Sequence, residues 1–307
     1  MTKKCKGCGL SLQNENKDLL GYTPDLKNDF CMRCFKLTHY NELINSGLDI
    51  DNAALIKRIN KKNIFVIFLV DFLNIYNEII DTYKKITSNK TLVITKSDII
   101  PNNIKVNTLI NNIKDLYEID EDIIITSSKN KNNIKVIERL CKDKKKVLIA
   151  GFTNAGKSSI INRLMDSSIT VSSKLNTTQD FIKLENRDYI IYDAPGFISK
   201  NALEDNIPMH EIKPITYQMQ PKYYLHFNDI NLYFQSDVNI TMYMKEMKIN
   251  KLRLKEDVDC NICIPSNSDL MIKGLGFIKF SKATFININI PNDYYEIRPS
   301  IIGGNNE

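Results

Sequence analysis

The sequence predicts an α/β protein. A mostly parallel sheet with helices on both faces is preceded by a cysteine module and followed by a β-rich region. Three observations predict it. Between Asp51 and Gly196, short apolar runs alternate with stripes of helical period, the signature of a parallel sheet covered on both sides. Gly151-Phe152-Thr153-Asn154-Ala155-Gly156-Lys157-Ser158 stands between one such run and one such stripe, and it fits the phosphate-binding loop pattern. Two Cys-x-x-Cys pairs come before the first run, and beyond residue 206 the chain changes to short strand-like runs broken by Pro208, Pro214 and Pro221.

Composition agrees with a folded chain of two or three domains: 307 residues, 43% hydrophobic and 25% charged. The longest apolar run, Ile64 to Val70, is stopped by Asp71, too short for a membrane span. Met1-Thr2-Lys3-Lys4 runs straight into Cys5, which leaves no room for a leader and makes the cytosol the expected compartment. The net charge of +6 is compatible with an RNA partner, but a chain this rich in Lys, Asn and Ile also gains lysines by drift.

Taken in order, Cys5-Lys6-Gly7-Cys8 and Cys31-Met32-Arg33-Cys34 form two knuckles 22 residues apart. Each turns two thiolates toward one point, and together they make a closed tetrahedral site suited to structural Zn²⁺. Arg33, Lys36, His39 and Tyr40, interleaved with Phe35 and Leu37, read equally as a nucleic-acid surface or as the start of an amphipathic helix. Asp51 caps a helix carrying Leu55, Ile56 and Ile59. Phe65 to Val70 is a strand, and Tyr76, Ile79, Ile80 and Tyr83 form a helical stripe. Thr91 to Ile94 is a strand ending in Thr95-Lys96-Ser97-Asp98. Val106, Leu109, Ile110, Ile113 and Tyr117 make a second stripe. Ile123 to Ile125 is a strand ending in Thr126-Ser127-Ser128-Lys129, and Ile134, Ile137 and Leu140 mark a helix. Lys146 to Ala150 is the strand that enters the glycine loop, and Ile160, Ile161, Leu164 and Met165 share one face of the helix that leaves it.

Phosphate chemistry needs this order of parts. Backbone N–H groups of the loop point inward, and the helix start adds a positive dipole end. Lys157 reaches the terminal phosphates and Ser158 offers a hydroxyl to Mg²⁺, with Gly151, Asn154, Ala155, Gly156 and Ser159 completing the cradle. Asp98 is placed to accept from the N1–H and exocyclic amine of guanine, which adenine does not offer in that arrangement. The stem of Lys96 can lie over the base, and Ser127, Ser128 and Lys129 can meet its O6. Thr177-Thr178 lies where a mobile segment brings a hydroxyl to Mg²⁺. Ile190 to Tyr192 is a strand ending in Asp193-Ala194-Pro195-Gly196, which places Asp193 on Mg²⁺ through water and the Gly196 N–H on the γ-phosphate.

These residues together resemble a Ras-like GTPase in altered order, the base-reading elements preceding the phosphate loop. With the N-terminal knuckles and Gly274-Leu275-Gly276-Phe277 near the end, the chain resembles the YqeH family of circularly permuted GTPases along nearly its whole length. The resemblance implies a zinc module (1–45), a circularly permuted P-loop G domain (46–206) and a β-rich, RNA-contacting C-terminal domain (207–307). It implies GTP and GDP as ligands, Mg²⁺ on Ser158, Thr178 and Asp193, K⁺ beside Asn154, and Lys157, Thr178 and Gly196 at the reaction. The implied partner is the small (30S) ribosomal subunit with its rRNA, for a monomer in the cytoplasm. The alternative is a zinc-containing RNA-binding protein with a slow, structural nucleotide site. Departures from the pattern are Thr95 in place of Asn, Leu175-Asn176 before the threonine pair, and Phe197 where a water-orienting Gln stands in Ras-like enzymes. In the last region, Asn231 to Phe234, Lys273 to Phe280 and Thr284 to Ile290 read as strands. Lys248, Lys251, Arg253 and Lys255 form a basic cluster near Tyr243, and Cys260 and Cys263 read as two ordinary cysteines.

Overall fold

The computed structural model describes residues 3–5, 11–15, 21–32, 51–100, 104–165, 181–203, 214–245 and 247–303. They fall into two compact units. The first is Met1–Asp71, Asp81–Ser97 and Glu121–Ile198, and the second is Phe72–Ile80, Asp98–Asp120 and Ser199–Glu307.

The first unit is built on a six-stranded sheet. Its strands are β1 (Phe65–Asp71), β2 (Lys90–Thr95), β3 (Ile123–Ile125), β4 (Lys146–Gly151), β5 (Ile182–Glu185) and β6 (Ile190–Asp193), in spatial order β3-β2-β1-β4-β6-β5. All neighbours are parallel except β5, which closes one edge antiparallel to β6. Central β1 is buried at every position from Val66 onward, as a strand covered on both faces must be. Helix α1 (Asn52–Lys62) precedes it. The Asp51 carboxylate accepts from the Ala53 N–H at 2.9 Å, and the left-handed Asn63 ends the helix. Helix α2 (Asn77–Lys84) follows β1. The packed face of the sheet buries Ile67, Leu69, Ile149 and Ile191 with Ile137 and Cys141 of α4 (Ile134–Lys144), and with Ile160, Ile161, Leu164 and Met165 of α5 (Lys157–Met165). The parallel register brings the carboxyl ends of β1, β2, β4 and β6 to one edge, where open α/β sheets bind ligands.

The second unit is a pair of antiparallel sheets. One has the order β16-β13-β14-β10-β7, with β7 (Ile215–Met219), β10 (Val238–Met244), β13 (Ser268–Ile272), β14 (Gly276–Phe280) and β16 (Tyr295–Pro299). The other has the order β11-β8-β9-β15-β12, with β8 (Tyr223–Phe227), β9 (Ile230–Phe234), β11 (Asn250–Arg253), β12 (Ile262–Ile264) and β15 (Thr284–Ile288). Alternate residues of both sheets, among them Phe227, Phe234, Met242, Phe280 and Ile286, form a shared core. Helix α3 (Val106–Tyr117) belongs to this unit: Arg298 donates to Tyr117 Oη at 3.2 Å, and Asn112 donates to Ile301 O and Gly303 O. No helix among the described residues is long and apolar enough to cross a membrane.

Two expectations for this unit need correction. Lys273 to Phe280 is not one strand, because Lys273-Gly274-Leu275 turns the chain between β13 and β14. Tyr243 is not beside the basic cluster. It stacks on Phe277 in one sheet, at 5.0 Å between centroids, while Lys251 and Arg253 lie on the edge strand of the other. There Lys251 covers the ring of Tyr223 instead. A chain that alternates between two sheets separates sequence neighbours.

Candidate functional site: the phosphate loop and the strand ends around it

Gly151 ends β4 at φ +151°, and a Cβ there would stand 2.4 Å from the Leu69 carbonyl oxygen of the neighbouring strand. Only glycine permits this turn out of the sheet. Asn154 (φ +61°) and Gly156 (φ +86°) complete the curl into the N-terminus of α5. Lys157, the first residue of α5, folds back so that Nζ donates to the carbonyls of Gly151 and Phe152, both at 3.0 Å. Burial pushes this ammonium down to about 8, with the carboxylate of Asp193 pulling it partly back up. Ser158 is half-buried on the same turn, while Asn154 and Ser159 are exposed.

The last residue of β6 is Asp193, buried and in register with Ile149 of β4. Three residues on, Gly196 presses against the loop. A Cβ there would stand 3.1 Å from Lys157 Nζ and 3.3 Å from the Thr153 nitrogen. Phe197 then pairs with the loop main chain: its N–H donates to Gly151 O at 3.1 Å, and its carbonyl accepts from Thr153 N–H at 2.9 Å. Its ring is fully buried against Phe152 and Phe68. The residue in the place of a water-orienting glutamine therefore serves the core. Asn52 holds the next residue by a two-way clasp, its amide donating to Ile198 O at 2.7 Å and accepting from Ile198 N–H at 3.1 Å.

Thr95 ends β2. It is buried, and its hydroxyl donates to Ala155 O at 2.9 Å, tying the end of β2 to the phosphate loop. This hydroxyl holds the loop. Lys96 takes a left-handed backbone (φ +61°) and forms an ion pair with Asp71 at the end of β1. Asp98 lies in the 3-10 turn Ser97–Ile99 that follows. The segment after β3 is braced locally. Ser127 Oγ accepts from Lys129 N–H, Thr126 Oγ1 donates to Asn132 O, and Arg163 of α5 donates to Ser128 O at 3.0 Å. Ser97 N–H donates to Thr126 O, so the segments after β2 and β3 meet.

Cys5 and Cys31 are both buried, and the Cys31 N–H donates to Cys5 Sγ at 3.1 Å. Cys8, Cys34, Thr177 and Thr178 lie outside the described residues. Three contributors had no local sequence signal. Asp71 reads only as the stop of an apolar run, Asn52 only as the first residue of a helix, and Phe197 only as a missing glutamine.

Thr95→Val is expected to lower stability by about 1–3 kcal/mol, because it leaves the buried Ala155 carbonyl without its donor. It should also weaken GTP binding, since the loop loses its tie to β2. Urea melts and nucleotide titrations check this, and an unchanged affinity would show that the loop holds its shape unaided.

Fold and site together define a GTPase: a P-loop fold with a mixed, mostly parallel sheet, here joined to antiparallel sheets. Residues 146–254 match the family model described as 50S ribosome-binding GTPase. The chain is 29% identical to the uncharacterized protein YqeH of Bacillus subtilis (strain 168) over 256 residues, 74% of this chain and 70% of that one. GTPase Der of Agathobacter rectalis is 36% identical over 75 residues, 23% of this chain and 17% of its own length. Among solved structures, YjeQ from Thermotoga maritima matches with 23% identity and a TM-score of 0.34, covering 44% of this chain and 48% of its own. The GDP-bound structure of YlqF matches with 19% identity and a TM-score of 0.31, covering 48% and 58%.

Proposed function

We propose that this chain is a circularly permuted, GTP-hydrolysing switch of the YqeH type that acts in assembly of the small ribosomal subunit in the cytoplasm. The reading is carried by the convergence of Lys157, Asp193, Gly196 and Thr95 on one loop, in a chain whose base-side strands precede that loop. The likeness to YqeH supports it over three-quarters of the chain. The matched family model is described by the 50S subunit, whereas the YqeH resemblance implies the 30S. Co-sedimentation with each subunit in GTP, GDP and no nucleotide separates them. Binding to 30S in one nucleotide state supports the proposal, and binding to 50S alone overturns the small-subunit assignment.

The reaction is attack of water on the γ-phosphate, supported by position and charge. Loop amides and Lys157 hold the phosphates, and the Gly196 N–H meets the γ-phosphate. Asp193 and Ser158 are oxygen donors, one at a strand end and one at a helix start, and fit Mg²⁺, with Thr178 as third contributor. Bound there, Mg²⁺ would supply charge neutralisation to the phosphates. Phe197 orients no water. Asn154 is the candidate to hold K⁺ beside the phosphates, so turnover is expected to be faster in KCl than in NaCl at equal ionic strength. Equal rates would remove K⁺ from the proposal.

Buried Cys5 and Cys31, with a backbone N–H on sulfur, suit thiolates around a structural Zn²⁺ completed by Cys8 and Cys34. Cys31→Ser is expected to release zinc on metal analysis and leave GTP affinity within about twofold, because the nucleotide site takes no residue from the cysteine module. Full zinc content in that variant would refute the four-cysteine site. The proposed limits remain 1–45 for the zinc module, 46–206 for the G domain and 207–307 for the C-terminal domain.

A further inference from the structure

The second unit contains a cavity of about 1250 Å³ that GTP chemistry does not use. Its floor is the face of the β16-β13-β14-β10-β7 sheet turned away from the core. There Thr241 and Lys279 sit opposite each other across β10 and β14, between the core residues Ile240, Met242, Ile278 and Phe280. The facing wall is the start of α3, with Lys105 and Thr108.

The side chains that line the cavity carry positive charge. Lys105, Lys279 and Arg298 line it, eight further residues bring hydroxyl or amide groups, and no carboxylate is among the described lining residues. Lys105 stands at the N-cap of α3 and makes no side-chain cap hydrogen bond, and the positive end of the helix dipole lies at this wall. Arg298 is 3% exposed. One terminal nitrogen donates to Ile75 O and Tyr117 Oη, and the other lies 3.4 Å from Asp269 Oδ2. Its Nε has no hydrogen-bond partner among the described residues. Asp269, fully buried beside Arg298 and in register with Lys279, offsets the charge of Arg298, so the cations left for a ligand are Lys105 and Lys279. Lys279 gives one hydrogen bond to Ile302 O, which leaves donors of its ammonium to spend.

A cavity of this size exceeds a lone phosphate. Its lining also includes Ile104, Pro265 and Ile297, apolar surface of the kind a ribose and base would cover. We propose that this cavity is a second phosphate-binding site that takes a nucleotide unit, its phosphate held between Lys105 on α3 and Lys279 on the sheet. The nucleotide is either free or part of a single RNA strand, and the same chemistry serves both.

The test uses the full chain with its phosphate loop saturated by Mg-GDP. Inorganic phosphate, adenosine 5′-monophosphate and a short single-stranded oligoadenylate are titrated by calorimetry, in the parent, Lys105→Glu and Lys279→Gln. An acidic residue at a helix start favours the helix, and glutamine can still donate to Ile302 O, so both variants are expected to melt like the parent and keep its GTP turnover. Binding of at least one probe is expected, weakened at least ~10-fold in each variant, as loss of a charge-assisted hydrogen bond requires. Preference for the monophosphate assigns a free nucleotide, and preference for the oligomer assigns an RNA strand. The proposal is overturned if no probe binds, or if binding is unchanged in both variants.

Discussion

Lys157→Met is expected to cut GTP turnover by ~10²–10³ while leaving the nucleotide-free protein at least as stable as the parent. The two effects have one cause. Among the described residues the ammonium donates to the Gly151 and Phe152 carbonyls, and burial, partly offset by the Asp193 carboxylate, pushes it down to about 8 from the ordinary lysine value near 10.4. Between those values the unfolded chain binds the proton and the folded chain has released it, so stability rises with pH across that window. Below about 8 both forms are protonated, and the fold carries the full cost of keeping the charge in the loop, roughly 1–3 kcal/mol. Methionine keeps the stem and omits the charge, which removes that cost. With GTP bound, the phosphates repay the charge, and the variant has nothing to give them as charge develops toward the bridging oxygen. Melts of nucleotide-free parent and variant at pH 7 and pH 9.5 read the stability, and phosphate release reads the turnover. The variant's advantage should be largest at pH 7 and shrink at pH 9.5. A variant that hydrolyses GTP at the parental rate would remove Lys157 from the reaction.

What the sequence could show about this fold was local. The run Phe65 to Val70 had to be a strand because six apolar residues in a row suit only a position covered on both faces, and β1 is central. The α5 stripe was legible for the same reason, since Ile160, Ile161, Leu164 and Met165 repeat at helical spacing and all four are buried. The contacts that shape the loop from a distance were not legible. Asn52 reaches Ile198 across 146 residues, and Asp71 meets Lys96 because two parallel strands end at one edge. Neither pairing leaves a mark on the residues beside it. Thr95 shows the limit most sharply. In the sequence it stands only as a departure from asparagine, and the bond of its buried hydroxyl to the Ala155 carbonyl comes from the fold. Beyond residue 206 the pattern of short strands was visible, but the partition between two sheets was not. It follows from long-range pairing, which is why Tyr243 and Lys251 were read as neighbours.

Asp98→Asn is expected to weaken GTP binding by at least ~10²-fold and to create a preference for xanthosine triphosphate. In the proposed function the carboxylate would accept two hydrogen bonds from guanine, at N1 and at the exocyclic amine. Hydrogen bonds to a charged group are worth roughly 1.5–3 kcal/mol each, so losing the charge and one acceptor together exceeds a factor of a hundred. The amide of Asn keeps one acceptor for N1–H and turns a donor toward position 2, where xanthine carries an oxygen that the carboxylate would repel. The substitution therefore inverts a recognition pattern and does more than delete it. Asp98 stands in the turn directly after β2, two residues beyond the Lys96–Asp71 ion pair and three beyond Thr95, whose hydroxyl is anchored on the phosphate loop. Asparagine matches aspartate in size and keeps an oxygen acceptor, so the variant should keep its fold and melt with the parent. Competition of GTP, ATP and xanthosine triphosphate against a labelled guanine nucleotide reads the outcome. If the variant still selects GTP as strongly as the parent, another residue reads the base. If the parent binds ATP as tightly as GTP, the carboxylate at position 98 performs no discrimination at all.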